Sequence, residues 1–250
     1  MVEGGAGKLY VTDGGHGGIP VIFHHGLGSD SGCWQGQLDH LRKTRRAIAF
    51  DARGHGKSER AARVSAYTVE ALADDLDRVV VQRDVARFWL VAHSFSGVVA
   101  SAYAASHPER LAGIVYVDAV GDFTLVPPKV VQFFAEKDKD MTEEKLQAAF
   151  AEMLGAKARP GTRTAVLASA AALDVPAFAA LRKAMAGYAT TAVVAKFSGP
   201  KWAIDADGND NPYMASHLPG VQRRTVSGVS HWMMLDDPEM FNATLDEVLK

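Results

Sequence analysis

A serine does covalent chemistry when its hydroxyl is lifted clear of the backbone, a base can reach it, and donors face the charge that forms. Ser94 has the first of these written around it. The run Phe88-Trp-Leu-Val-Ala-His-Ser-Phe-Ser-Gly carries an apolar strand straight into a serine and then into a helix. Ala92 stands two residues before Ser94, Ser96 two after, and Gly97 follows. A strand-to-helix turn this sharp puts its central residue at strained dihedrals, and only small neighbours let the two backbones pass. The hydroxyl then projects above the sheet with a helix N-terminus beneath it, where backbone N–H groups favour negative charge. A candidate base is His231, in Val229-Ser-His-Trp232. It lies on a Gly/Ser-flanked loop between the last expected strand and the last helix, a place from which an imidazole can reach back to Ser94. A serine served by a histidine does acyl transfer.

The other residues that could do chemistry are weaker candidates. Of nine histidines, His93, His24 and His25 are expected to be structural or to line a pocket, and His55 to stabilise a turn. Adjacent His24 and His25 point to opposite faces of a strand, so they do not form a metal pair by themselves. No H-E-x-x-H or comparable spacing occurs, and no metal or cofactor is implied. Cys33 is the only cysteine, which excludes an intramolecular disulfide and a multi-cysteine metal site. Gly5-Ala-Gly-Lys8 lacks the leading glycine and the following Ser or Thr of a phosphate-binding loop.

The elements that must position Ser94 and His231 alternate between two periods. Residues 19–24, 47–50, 88–92, 111–117, 201–204 and 221–226 read as strands. Most are near-continuous apolar runs, as in a parallel sheet buried on both faces. Residues 8–12 read as an edge strand. Helices are expected over 34–42, 69–82 and 95–106, and from Pro238 to the end, where Asp237-Pro238 supplies a cap and a first-turn proline. This alternation implies an α/β fold with a mostly parallel, doubly wound sheet. One interval breaks it: about 80 residues from Ala119 to Pro200 carry no convincing strand, where a crossover needs about a dozen. Its helical pieces, 130–136, 143–154, 164–172 and 177–186, are separated by Pro127-Pro128, Pro160-Gly161 and Pro176. The expected organisation is a core of residues 1–121 and 188–250 with a helical cap inserted over 122–187.

Composition narrows the function. The chain has 250 residues, 48% apolar and 22% charged, with 27 Lys plus Arg against 29 Asp plus Glu. That is enough chain for one substantial core, and it lacks the basic footprint of a nucleic-acid binder. No stretch approaches the roughly 20 apolar residues of a membrane span, and no signal peptide is visible. The expectation is a cytoplasmic protein that meets a small-molecule substrate, with neither nucleic acid nor membrane as partner and with room for a homodimer.

From about Pro20 to the C-terminus the chain resembles an α/β-hydrolase. His25-Gly-Leu-Gly28 after the first strand is similar to that family's H-G-x-G loop. Asp51-Ala-Arg-Gly-His-Gly-Lys-Ser58 is similar to its D-x-R-G-x-G-x-S turn. The Ser94 turn departs from the usual G-x-S-x-G by carrying Ala92 and Ser96 in place of both glycines. Val229–Trp232 falls where the catalytic histidine is found. The resemblance implies an α/β-hydrolase fold, Ser94 as nucleophile, His231 as base, and the backbone N–H groups of Leu27 and Phe95 as oxyanion donors, with Gly26, Trp34 and Trp232 near the substrate. It also implies an acid between serine and histidine in the chain. Most members place it after the strand here read at 201–204, where Asp205, Asp207 and Asp210 are available. A subset that includes haloalkane dehalogenases and zearalenone-lactone hydrolases places it one strand earlier, at the position of Asp118. Asp118 is preferred, with Asp207 as the alternative. Dehalogenases and epoxide hydrolases use aspartate in place of Ser94, so an ester or lactone of a small to medium apolar substrate is the expected target. A C–C hydrolase of ring-cleavage products, or a ligand receptor or regulator that reuses the fold, is the alternative. Phe123, Phe133, Phe134, Phe150 and Met153 are the cap side chains expected to line the pocket.

Overall fold

The computed structural model describes all of Met1–Lys250. A short ribbon of β1 (Val2–Gly4) and β2 (Gly7–Leu9) precedes a seven-stranded sheet. The sheet contains β3 (Val11–Gly14), β4 (Val21–His24), β5 (Ala47–Phe50), β6 (Phe88–His93), β7 (Leu111–Val117), β8 (Lys201–Ala206) and β9 (Val221–Val226), in the order β3-β5-β4-β6-β7-β8-β9. Only β3 runs antiparallel. Every residue of β4, β5, β6 and β7 is buried, which is why those segments read as unbroken apolar runs rather than alternating ones. The edge strand β9 alternates instead, with Gln222 and Arg224 toward solvent and Arg223 half-buried. The single edge strand expected over residues 8–12 is two strands: the chain breaks at Tyr10, so that Gly7–Leu9 pairs with β1 and Val11–Gly14 with β5.

Helices cover both faces. α1 (Gln35–Leu41), α2 (Val69–Gln82) and α3 (Ser96–Ser106) follow β4, β5 and β6. Between β7 and β8 lie α4 (Pro128–Lys139), α5 (Glu143–Leu154), α6 (Pro160–Ala171), α7 (Val175–Ala186) and α8 (Thr190–Val194), and the chain closes with α9 (Met233–Asp236) and α10 (Pro238–Val248). No single helix is long and apolar enough to cross a membrane. The buried apolar side chains divide into two clusters. One holds Leu76, Val99 and Tyr103 of α2 and α3; the other holds Trp34, Leu38, Phe241 and Leu245. Gly113 shows how tightly the sheet is covered, since a Cβ there would stand 2.1 Å from the Trp89 ring of the neighbouring strand.

The strand order decides where chemistry can sit. From β4 the chain goes outward to β5 and then returns past β4 to β6. Loops leaving the carboxyl ends of β4 and β6 therefore part in opposite directions and open a crevice, the usual ligand position in an open α/β sheet. Those two loops carry Gly26-Leu27 and Ser94.

Candidate active site

Ser94 follows the last residue of β6 and has φ +56°, one of three positive values among non-glycine residues. Such a conformation costs about 1–3 kcal/mol and persists only where its surroundings hold it. Here they do. Ser94 N–H donates to Val117 O at 3.0 Å, and Ser94 O accepts from Gly97 N (3.1 Å) and Val120 N (3.0 Å). Gly97 is needed for this closeness, because a Cβ there would lie 2.4 Å from Val120 O.

The loop after β4 presses against this turn. A Cβ on Gly26 would fall 3.0 Å from Ser94 Cβ and 2.8 Å from His93 Nδ1, so only glycine fits. The carbonyl of Gly26 accepts from Ser29 N at 3.2 Å and contacts His25 Nδ1 at 2.8 Å. His25 Nε2 accepts from Ala52 N at 2.9 Å, which leaves Nδ1 to carry the proton that Gly26 O accepts. A planar trans peptide aims its N–H opposite its C=O, so pinning Gly26 O aims Leu27 N–H. Neither Leu27 N–H nor Phe95 N–H donates to any group of the protein. Two unspent backbone donors thus flank Ser94, on the loop before it in the sheet and on the residue after it in the chain.

His231 is held from three sides. Its carbonyl accepts from His93 Nε2 at 2.9 Å. The residue before it, Ser230, donates to Asp236 Oδ2 through both its N–H (2.7 Å) and its hydroxyl (2.6 Å). Its Nδ1 lies 2.6 Å from Asp118 Oδ2, which leaves Nε2 as the nitrogen open to a substrate or nucleophile. Asp118 directly follows β7 as Ser94 follows β6, and the two lie side by side: the register pairs His93 with Val117. Its backbone is also left-handed, at φ +41°, and its N–H donates to Ile204 O at 2.8 Å. The second oxygen, Oδ1, accepts from Ala206 N (3.1 Å) and Asn209 Nδ2 (3.0 Å). Burial pushes the Asp118 carboxyl up, but its bonds to His231, Asn209 and Ala206 outweigh burial and hold it below the usual carboxylate value.

The acids one strand later face elsewhere. Asp207 is exposed and paired with Lys157. Asp210 meets Arg223 Nη1 at 2.7 Å and His217 Nε2 at 3.2 Å. Asp205 is fully buried, with Arg223 Nε 2.9 Å from its Oδ2, and burial raises its carboxyl above the usual value. None of the three touches His231. Asn209, by contrast, was invisible in a segment read only for its acids; the sole hint was its place in the irregular loop after β8.

Several expected pocket residues are closed in. Trp34 is fully buried against Phe23, Phe241 and His93, so its ring belongs to the core rather than to a substrate surface. Trp232 is only 2% exposed and packs between His231, His93 and Phe150. Phe150 is likewise buried, on Gly28, Trp232 and Phe178. Gly28 has φ +70°, and a Cβ there would stand 2.2 Å from the Phe150 ring. Phe133 and Met153 face solvent. Phe123 and Phe134 do line a cavity, of about 1060 Å³, between α4, α7 and the turn at 64–68, but none of Ser94, Asp118 and His231 borders it. Phe150→Ala is therefore expected to act on stability, by about 3–5 kcal/mol. That is a fall of about 10 °C in Tm for a chain of this size, and a thermal melt with no change in Tm would contradict the packing described.

Three further histidines are buried around the site and are kept neutral. Burial lowers His24 and His55 from 6.5 to about 3, and lowers His93 well below its usual value. The unfolded chain binds these protons near pH 6.5 and the folded chain does not. Their contribution to stability is thus complete above pH 6.5 and is lost as pH falls toward 3. At pH 5 each of His24 and His55 costs about 2 kcal/mol relative to pH 7. Tm is expected to drop by about 10 °C between pH 7 and pH 5, and a flat melting profile over that range would show that these rings are solvated. Cys33 is also buried, and burial pushes its thiol up, away from reactivity.

A serine on a strained turn at the switch point of a doubly wound sheet, beside a histidine–aspartate pair, is an arrangement suited to nucleophilic catalysis. The chain belongs to the α/β hydrolase family: the profile described as "alpha/beta hydrolase fold" matches residues 19–203, most of the chain. It is 31% identical over 139 residues to a pimeloyl-[acyl-carrier protein] methyl ester esterase of Yersinia pseudotuberculosis, covering 53% of this chain and 51% of that one. The chain spans about half the length, or less, of the curated relatives it matches. In structure it is similar to the enol-lactonase of Burkholderia xenovorans LB400 (TM-score 0.83, 21% identity, 96% of both chains). It is also similar to a thermophilic esterase of Thermogutta terrifontis (TM-score 0.83, 23% identity, 98% and 96%). At these identities the two structures establish the shared fold.

Proposed function

We propose that the protein is a serine hydrolase that cleaves an ester or lactone of a small to medium, largely apolar substrate through an acyl-enzyme on Ser94. The observation that carries this reading is the 2.6 Å contact between His231 Nδ1 and Asp118 Oδ2, at the sheet edge where Ser94 and two unspent N–H groups converge. Ser94 Oγ attacks the carbonyl carbon and gives its proton to His231 Nε2. Asp118 holds the imidazole with Nε2 outward and stabilises the imidazolium. The negative charge that develops on the carbonyl oxygen is taken by Leu27 N–H and Phe95 N–H. Collapse expels the alcohol, which takes the proton from His231; water then repeats the cycle on the acyl group. A methyl ester esterase among the relatives supports this chemistry, and Ser94 rather than aspartate at the nucleophile position argues against dehalogenation.

The inserted helices 122–187 are proposed to form a cap that selects for size. Support comes from contacts that lay the inserted helices over the loop after β4: Phe150 of α5 packs on Gly28, and Ser169 of α6 donates to Asp30 Oδ2 at 2.6 Å. A screen over short and long p-nitrophenyl esters, lactones and ring-cleavage products, with Ser94→Ala as blank, tests the reaction class.

A further inference from the structure

The family's usual turn carries glycine two residues after the nucleophile; this chain carries Ser96. That side chain is fully buried. A buried hydroxyl on a helix has a ready partner in the carbonyl four residues back, and Ser101 of α3 uses it, donating to Gly97 O at 2.9 Å. Ser96 stands at the first position of α3 and reaches across instead. Its hydroxyl donates to the carbonyl of His25, 71 residues away in the chain, and lies 2.6 Å from His24 Nδ1, which itself lies 3.0 Å from His25 O. His24 is neutral, since burial lowers it to about 3. A carbonyl only accepts, so Ser96 Oγ–H donates to His25 O, and His24 Nδ1–H is shared between Ser96 Oγ and His25 O.

We propose that Ser96 is a positioning residue that fixes the Leu27 side of the oxyanion hole by tying the start of the nucleophile helix to the loop after β4. The proposal rests on the reading of Leu27 and Phe95 as oxyanion donors. Its physical basis is the spacing of the pinned peptides. The peptide from His25 to Gly26 is held through His25 O by Ser96 and, at 3.0 Å, by His24 Nδ1; the next, from Gly26 to Leu27, is held through Gly26 O by His25 Nδ1 and Ser29 N. Between them is Gly26, a residue whose φ and ψ are the least restricted of any. With both carbonyls held, the glycine has no freedom left and Leu27 N–H keeps one direction. With Ser96 Oγ gone, the first peptide keeps only the longer contact of His25 O to His24 Nδ1, at 3.0 Å, and the loop loses its tie to α3, so the donor is less firmly aimed. Phe95 N–H moves with α3, so the same bond also sets the separation of the two donors. A donor that stabilises a transition state must be in place before the charge forms.

The test compares Ser96→Ala, Ser96→Gly and Ser96→Thr with wild type on p-nitrophenyl acetate, and measures inhibition by an alkyl boronic acid, whose tetrahedral serine adduct mimics the transition state. Loss of the hydroxyl is expected to lower kcat about 10–100-fold with KM within about twofold. Boronate affinity should fall by a similar factor. Ser96→Thr, which keeps a hydroxyl, should retain more than about a third of the wild-type kcat. Ser96→Gly carries the test if the alanine variant fails to fold, since glycine is the family's usual residue here. Wild-type kcat and boronate affinity in Ser96→Gly, or a loss in Ser96→Thr equal to that in Ser96→Ala at unchanged Tm, overturns the proposal. Wild-type activity in Ser94→Ala would instead remove the serine-hydrolase reading on which it rests.

Discussion

Ser94→Ala should lower kcat/KM for short-chain esters by about 10⁵-fold, the scale on which acyl-transfer enzymes lose activity without their nucleophile. The fold should survive. Alanine meets the same left-handed backbone that serine occupies at φ +56°, and the three backbone hydrogen bonds that hold the turn do not involve the hydroxyl. Ser94→Gly should be as inactive and should melt no lower than wild type, because glycine removes the penalty at that φ. Loss of activity with retained stability separates a nucleophile from a packing residue. Activity kept in either variant would mean that another group attacks.

Asp118→Asn should cost about 10⁴-fold in kcat, while Asp207→Asn should stay within about twofold of wild type. Asparagine tolerates the φ of +41° at this position, and its carbonyl oxygen can still accept from Ala206 N and Asn209 Nδ2. What changes is the group facing His231. An amide NH2 there donates to Nδ1, so the proton moves to Nε2 and the imidazole can no longer accept from Ser94. Asp207 sits in an exposed pair with Lys157, and screened surface pairs hold little in place. Circular dichroism should show both variants folded. Equal losses in the two, or the larger loss in Asp207→Asn, would place the orienting carboxylate on the loop after β8.

Much of this was legible because burial on both faces leaves a strong trace. β4, β5, β6 and β7 are continuous apolar runs, and a continuous run that ends in Ser94, or in Asp118, marks a polar group at a sheet edge that needs a reason to be there. The left-handed backbone at both residues is what the small neighbours of Ser94 anticipated; for Asp118 nothing in its neighbours announced it. The edge of the sheet was harder. The break at Tyr10 between β2 and β3 carries no glycine or proline, so residues 8–12 read as one strand. Aromatic side chains misled more than any other class. Trp34, Trp232 and Phe150 carry the same composition signal whether they line a pocket or fill a core, and only their contacts with Phe23, His93 and Gly28 tell the two apart. Long-range hydrogen bonds left no trace at all. Asn209 to Asp118, His93 to His231 and Ser96 to His25 join segments more than 70 residues apart, and no local pattern encodes them.

If Ser94 forms the covalent bond to substrate, an alkyl fluorophosphonate must attach there, and the adduct can be located because it does not turn over. The enzyme is inactivated with an alkyl fluorophosphonate, digested, and the modified residue located by tandem mass spectrometry. One phosphonyl group per chain is expected, carried on Ser94, with residual activity falling in proportion to its occupancy. Full inactivation with Ser94 unmodified, or a stoichiometric adduct on any other side chain, would contradict it.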